Sequence, residues 1–393
     1  MTLRARFLEL QSLLVQHESF WRPAPFRVAR PAWCAQWPAL VAALEELDEA
    51  SVDRLSTDEE AADAWLLPRL PLLAELRAAS RLAELPQRVL AACDARFDEG
   101  IPARKRRQIE AFATHMPAAA APLLEWCAGK GHLGRRLALA DRVPVVSLEI
   151  DPVLCGETGR LALRQGVAQR AVCGDALAAP ARELLRGHSV VALHACGELH
   201  RTLVRGAGED GALAYQIAPC CYHLGSDGAY RALSRDAALQ LDEGALRLAV
   251  TETVTAPARD RVRLARDQAW KLGFIALRNA LEGEAVRSFR PVPAAWLGGS
   301  FEAFCRLLAQ RADMALPATV ETVDWEHWEA VGWRRRGEVR RLELVRHAFR
   351  RPLEVWLVLD LALGLAERGF EVEVGRFCAR ELTPRNLLVL ARR

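Results

Sequence analysis

The chain has 393 residues, 51% of them hydrophobic, with 53 Lys and Arg against 50 Asp and Glu and a formal net charge of +3. That length buries a large core and suggests two or three domains, and the composition fits a soluble globular protein. Apolar runs are short and broken by Arg, Glu or Pro, which excludes a membrane-spanning helix.

The first residues, Met1-Thr2-Leu3-Arg4-Ala5-Arg6, lead into an amphipathic stretch rather than a secretory signal. Ten cysteines without a targeting segment read as reduced thiols and a cytoplasmic location. Charge is uneven: residues 1–100 carry 11 Arg against 16 acids, net −5, and the remainder 42 basic against 34 acidic residues, net +8. The second part therefore permits a polyanionic partner without requiring one.

Leu3, Phe7, Leu10, Leu13 and Leu14 recur at helical spacing. A Pro- and Trp-rich segment follows from Trp21 to Trp37, then helical runs through Leu40–Leu47 and Ala61–Leu90. Residues 1–100 are expected to be a helical region that caps the main domain. From Pro122 short apolar runs alternate with helical stretches. Strands are expected at Leu123–Trp126, Val143–Glu149, Ala168–Cys173, Ser189–His194 and Ala212–Ala218, with a helix at Gly134–Ala140. This alternation implies βαβ units and a parallel sheet. Near the end, Pro352–Arg368 reads as a helix with Pro at its start and Gly369 just past it. Phe370–Cys378 and Asn386–Ala391 read as an antiparallel hairpin. The expected α/β fold is thus a class I Rossmann-like sheet of the methyltransferase type: mostly parallel, closed by a helix and hairpin. Its core would span 101–225 and 346–393, with 226–345 inserted before the last strands as a candidate substrate-recognition region.

The strongest local signal is Glu125-Trp126-Cys127-Ala128-Gly129-Lys130-Gly131-His132-Leu133-Gly134, a strand running through a glycine turn into a helix. Glycines let backbone approach a ligand, and the helix start offers unpaired N–H donors. The run also satisfies the dinucleotide pattern GxGxxG, with Glu149 about twenty residues on. Glu125 argues for S-adenosylmethionine (SAM) instead: a carboxylate repels a pyrophosphate but suits the cationic amino-acid end of SAM. Glu149 at the end of the second strand would accept the ribose hydroxyls, and Asp175-Ala176 at the end of the third would sit at the adenine. Cys127 stands where most methyltransferases have a glycine. Cys127, Gly129, Lys130 and Gly131 of the turn, and His194 at the end of the fourth strand, complete the expected cofactor set.

His194-Ala195-Cys196-Gly197 and Pro219-Cys220-Cys221-Tyr222-His223 close the fourth and fifth strands. Carboxyl ends of parallel strands line the ligand crevice, so Cys221, Tyr222 and His223 are the expected catalytic corner, with His223 or Tyr222 taking a proton. Two other chemistries remain open. Covalent catalysis by Cys220 or Cys221 would need an activating acid that is missing before Pro219. Zinc could be bound by His194, Cys196, Cys221 and His223, at a spacing unlike a standard finger. Packing alone is the simplest account of some of these thiols.

Together with Arg104–Arg107 and Thr383-Pro384-Arg385-Asn386-Leu387, these motifs resemble the methyltransferase-like proteins grouped as "ribosomal RNA adenine dimethylase domain-containing". The paired His-x-Cys-Gly and Cys-Cys-x-His runs are also similar to those of eukaryotic tRNA 2′-O-ribose methyltransferases. The resemblance covers residues 104–225 and 345–393. It implies the class I fold, SAM as donor and RNA as substrate. The Asn/Asp-Pro-Pro-aromatic motif of amino methylation is absent, so the acceptor atom stays open. Protein or small-molecule methylation, a non-catalytic RNA-binding role on the same fold, and NAD-dependent oxidoreduction through the same glycine turn are the alternatives.

One further segment fits an RNA partner. Arg334, Arg335, Arg336, Arg340, Arg341, Arg346, Arg350 and Arg351 follow Trp325, Trp328 and Trp333, which combines charge with stacking surfaces. A solvated helix face with core aromatics explains the same pattern.

Overall fold

The structure is a computed structural model that describes residues 1–28, 30–93, 95–251, 258–282, 291–313 and 323–393. Parts of the expected insertion, 252–257, 283–290 and 314–322, lie outside the described residues. The chain divides into two compact units, Met1–Gln16 with Glu75–Val250 and Arg350–Arg393, and His17–Ala74 with Thr251–Phe349.

The first unit is built on a seven-stranded sheet of β1 (Leu123–Trp126), β2 (Val145–Glu149), β3 (Gln169–Cys173), β4 (Ser189–Cys196), β5 (Ala214–Cys220), β6 (Glu371–Arg376) and β7 (Leu387–Arg392). Their order is β3-β2-β1-β4-β5-β7-β6. The first five are parallel, and β7 runs antiparallel to both neighbours. This is the Rossmann-like methyltransferase sheet. The expected terminal hairpin forms, with β7 lying between β5 and β6. Helices α1 (Leu3–Gln16), α2 (Ala103–His115), α3 (His132–Asp141), α4 (Pro152–Gln165), α5 (Glu198–Gly206) and α8 (Arg350–Ala366) belong to this unit; α6 (Ala258–Glu282) and α7 (Trp325–His347) belong to the second.

Local chemistry fixes these elements. All of β1 is buried, as for a strand covered on both faces. In α4, Asp151 caps by accepting from Val153 N–H at 2.8 Å, Pro152 opens the first turn and left-handed Gly166 ends the last. The core joins Leu123, Val145, Val191 and Leu388 to Phe112 and Phe377, whose rings meet edge-on at 5.9 Å. Buried α8 carries Asp360, which accepts from the Tyr230 hydroxyl and from the N–H groups of Leu233 and Ser234 at 2.7–2.9 Å. That triple bond set holds the chain after β5 against α8.

Residues 1–100 do not form one body. Phe7 of α1 stacks on Trp356 of α8 at 5.2 Å. Ala83–Leu85 pairs with the outer edge of β6, Leu85 N–H to Arg376 O at 3.0 Å and Arg376 N–H to Ala83 O at 2.9 Å. That edge would otherwise present unpaired backbone groups.

In the second unit, α6 (Ala258–Glu282) and α7 (Trp325–His347) cross where neither can carry a side chain. A Cβ on Gly332 would lie 2.3 Å from Ala269 O, and one on Gly273 2.7 Å from Trp328 O. The arginines of α7 are largely engaged within this unit. Arg340 pairs with Glu49 at 2.6 Å and with Asp53, Arg341 with Glu49 at 3.0 Å, and Arg346 donates to Trp21 O at 2.8 Å. Trp333 is half exposed beneath Arg336.

No helix among the described residues is long and apolar enough to cross a membrane.

Candidate active site

The sheet order reverses between β1 and β4, which opens a crevice at the carboxyl ends of the strands. A cleft of about 500 Å³ occupies it, within the usual size for a small-molecule site. Its walls come from four successive strand ends: Cys127 after β1, Glu149 and Ile150 at β2, Asp175 and Ala176 after β3, and Cys196 at β4. Leu199 and Leu224 close the far side. Three carboxylates, Glu149, Asp175 and Glu198, thus stand on mostly apolar walls, and that of Glu198 is engaged by Arg201 and Arg205.

Glu149 is held by the backbone. Its Oε2 accepts from Gly129 N–H at 2.7 Å, and Oε1 from Ile150 and Asp151 N–H at 2.9 and 3.1 Å. Asp175 accepts from Leu177 N–H at 2.8 Å and is exposed to solvent. The turn after β1 carries left-handed Gly129 and Gly131, and nothing lies within 4 Å of where a Cβ on Gly129 would stand. The space beside that turn is open for a ligand.

Three residues other than glycine adopt positive φ at this edge: Cys127 (57°), His194 (63°) and Cys221 (44°). Backbone held in that region concentrates at functional sites. It also explains the usual glycine at the Cys127 position, since a side chain there is strained.

Several expected site residues stand elsewhere. Glu125 does not line the cleft. It is 4% exposed, accepts from Ser147 Oγ at 2.8 Å, and would be 2.5 Å from a Cβ on Gly134. Burial pushes its carboxyl up to about 7. Side chains alternate across a strand, so Glu125 faces α3, and it is the neighbour Trp126 that faces α5, donating to Leu199 O at 2.8 Å. The absent Cβ of Gly134 lets α3 sit against that carboxylate. Lys130 pairs with Glu157 of α4 at 2.7 Å, away from the cleft wall. His194 also lies off the wall; burial lowers its imidazole to about 4 and leaves Nδ1 without a hydrogen bond.

Tyr222 corrects the expectation of a ring that stacks on a base. It is 1% exposed, edge-on to His200 of α5 at 5.7 Å, with its hydroxyl buried and unpartnered. Its carbonyl accepts from buried Arg201 at 2.7 Å, which pins the segment to α5. His223 is half-buried, with Nδ1 buried and unpartnered, and burial lowers its pKa, so it is neutral at pH 7. Next to it the thiols of Cys196, Cys220 and Cys221 converge.

Gly197 locks the two loops together. Its N–H donates to Cys220 O at 3.0 Å, and a Cβ would fall 2.1 Å from Leu224 O. Sequence reasoning missed Ile150, Leu199 and Leu224 as cleft walls, and Ser147 and Gln169 beneath the glycine turn. Gln169 Nε2 bridges Gly131 O and Ser147 Oγ, each at 2.9 Å. Only the position of Ile150, directly after Glu149, could have been read in advance.

Residues 104–227 match the family model described as a methyltransferase domain. The match runs from α2 through the loop after β5 and contains every residue of the cleft wall named above. A solved structure from Pyrococcus horikoshii, described only provisionally as a transferase, is similar at 13% identity over 46% of this chain and 80% of that one. Its TM-score is 0.23, too low to carry an argument. No curated protein matches the chain.

Proposed function

We propose that the chain is a SAM-dependent methyltransferase acting on RNA. The observation that carries the cofactor is the pair of carboxylates, Glu149 and Asp175, ending adjacent strands on one wall of the cleft. Glu149 is fixed by three backbone donors and has lone pairs left for a ribose diol. Asp175 suits an adenine amino group, and Ile150 and Ala176 offer apolar faces to the ring. The open space beside Gly129 fits the amino-acid end of such a ligand.

Competition from a dinucleotide is weakened by the same geometry. The Gly129 N–H, which would meet a pyrophosphate, is already given to a carboxylate, and placing a second anion there is costly. Glu125, buried beneath the turn, takes no part in that discrimination.

When bound, SAM supplies a methyl group already activated by its sulfonium. What remains for the protein is to bind, orient and exclude water. The cleft walls and the Gly197–Leu224 approach would hold the two ligands in register. His223, neutral at pH 7, would accept the acceptor's proton where one must leave. Tyr222 would support the loop from within the core. An RNA substrate draws on the family resemblance and on Arg104, Lys105, Arg106 and Arg107, which are exposed at the start of α2. Their exposure adds positive charge to the surface at the start of α2.

Calorimetric titration with SAM, S-adenosylhomocysteine and NAD tests the cofactor. Modified-nucleoside profiles of RNA from a deletion strain and its parent test the substrate. Tight NAD binding without SAM binding defeats the first reading, and identical profiles the second.

A further inference from the structure

The cysteines at the ends of β4 and β5 form a cluster that methyl transfer does not require. A β-bulge between Leu193 and Cys196 shifts the register so that Cys196 pairs directly with Cys220. Their sulfurs lie 3.0 Å apart. Cys221 then turns at φ 44°, a conformation a β-carbon disfavours, and its sulfur joins them. All three Sγ atoms fall within 4.8 Å of one another. Neither His194 nor His223 brings a ring nitrogen into the group, so the His-x-Cys plus Cys-x-His set read from sequence is not the one that assembles.

We propose that Cys196, Cys220 and Cys221 form a three-thiolate site for a thiophilic d10 cation, zinc(II) or copper(I). Thiolate is the preferred donor of both ions. Zinc–sulfur bonds of about 2.3 Å in a tetrahedron set the sulfurs about 3.8 Å apart, a spacing this cluster reaches by small side-chain rotations. Binding forms three sulfur–metal bonds and releases the thiol protons to solvent, with no change of oxidation state. Cys220 is buried, Cys221 half-buried, and Cys196 lies on the cleft wall. With three protein ligands, a fourth zinc position would be open to a water or a ligand from the cleft. Cys155 and Cys173 also bring their thiols into contact but offer only two, and they serve as an internal control.

The test needs neither methyl donor nor acceptor, so it stands or falls apart from the methyltransferase reading. Reduced full-length protein is titrated anaerobically with zinc(II) and, separately, copper(I), each against a chromophoric chelator. Cobalt(II) serves as an optical probe of thiolate ligation. One ion per chain is expected, with a thiolate-to-cobalt charge-transfer band and proton release near neutral pH. Cys196→Ser and Cys221→Ser should each weaken binding at least tenfold, while Cys173→Ser leaves it unchanged. If Cys220→Ser does not fold, Cys221→Ser, at the half-buried position, still decides the matter. A folded, reduced chain that retains neither ion against the chelator overturns the site. So does binding that survives Cys221→Ser, or a native Cys196–Cys220 disulfide found by peptide mass analysis of protein from reducing cytoplasm.

Discussion

The backbone N–H of Gly129 donates to the Glu149 carboxylate at 2.7 Å and ties the turn after β1 to the end of β2. The carboxylate is oriented before any ligand arrives, since two further N–H groups fix its other oxygen. Preorganisation of this kind lowers the ordering cost of binding. Glu149→Ala should therefore weaken SAM binding by roughly tenfold to a hundredfold, the loss of about 1.5–3 kcal/mol for charge-assisted bonds. Glu149→Gln keeps an acceptor for Gly129 and should fall between. Calorimetry on the three proteins checks the order, and equal affinities would remove Glu149 from the site.

Gly197 is required by its neighbour across the loop. An alanine there must accommodate φ 53° and a carbonyl oxygen 2.1 Å from its Cβ. Gly197→Ala should cost about 2–4 kcal/mol, read as a lower urea midpoint. Unchanged stability would mean that the β4 and β5 loops do not approach as described.

Buried Glu125 makes stability depend on pH in a definite direction. Its folded carboxyl titrates at about 7 against an ordinary 4.5, so the folded chain binds the proton more tightly than the unfolded one. The destabilising contribution is absent below about pH 4.5, grows as pH rises toward 7, and is complete above that. Its full size is on the order of 3 kcal/mol. Glu125→Gln should therefore raise the melting temperature at pH 8 and have little effect at pH 4.5. Equal shifts at both pH values would show that Glu125 is not desolvated.

Tyr222 distinguishes packing from chemistry. Its hydroxyl is buried without a partner, so Tyr222→Phe should leave stability unchanged or slightly raised. Tyr222→Ala should cost about 3–5 kcal/mol by opening a cavity. Loss of methyl transfer in a fully stable Tyr222→Phe protein would return the hydroxyl to the reaction.

Residues 346–393 supply α8 and both antiparallel strands. Their removal would strip β5 of its β7 partner along Ala214–Ile217 and uncover the face beneath α8. A chain ending at Val345 should aggregate or fail to fold, as size-exclusion chromatography would show. A monomeric, SAM-binding truncation would make the last segment an appendage.

Local pattern determined much of this protein. Local apolar pattern and flanking turns marked all seven strands to within a few residues; for β1, β2, β4 and β5 the reason is that buried parallel strands leave near-continuous apolar runs. The acids Glu149 and Asp175 were legible because a strand-end position follows from the end of an apolar run. What the sequence could not determine was which way each side chain turns and which distant segments meet. Glu125 and Trp126 are neighbours in the chain on opposite faces of β1, and only packing against α3 and α5 decides which face takes the charge. Tyr222 reads as a site residue by position, yet Arg201, twenty-one residues earlier, draws its segment into the core. Residues 1–100 read as one helical region, but Phe7 finds Trp356 and Leu85 finds Arg376 across nearly the whole chain. The three thiols likewise meet only because a bulge in β4 resets the register opposite β5. Such contacts depend on the summed packing of the whole domain, which no local run of residues encodes.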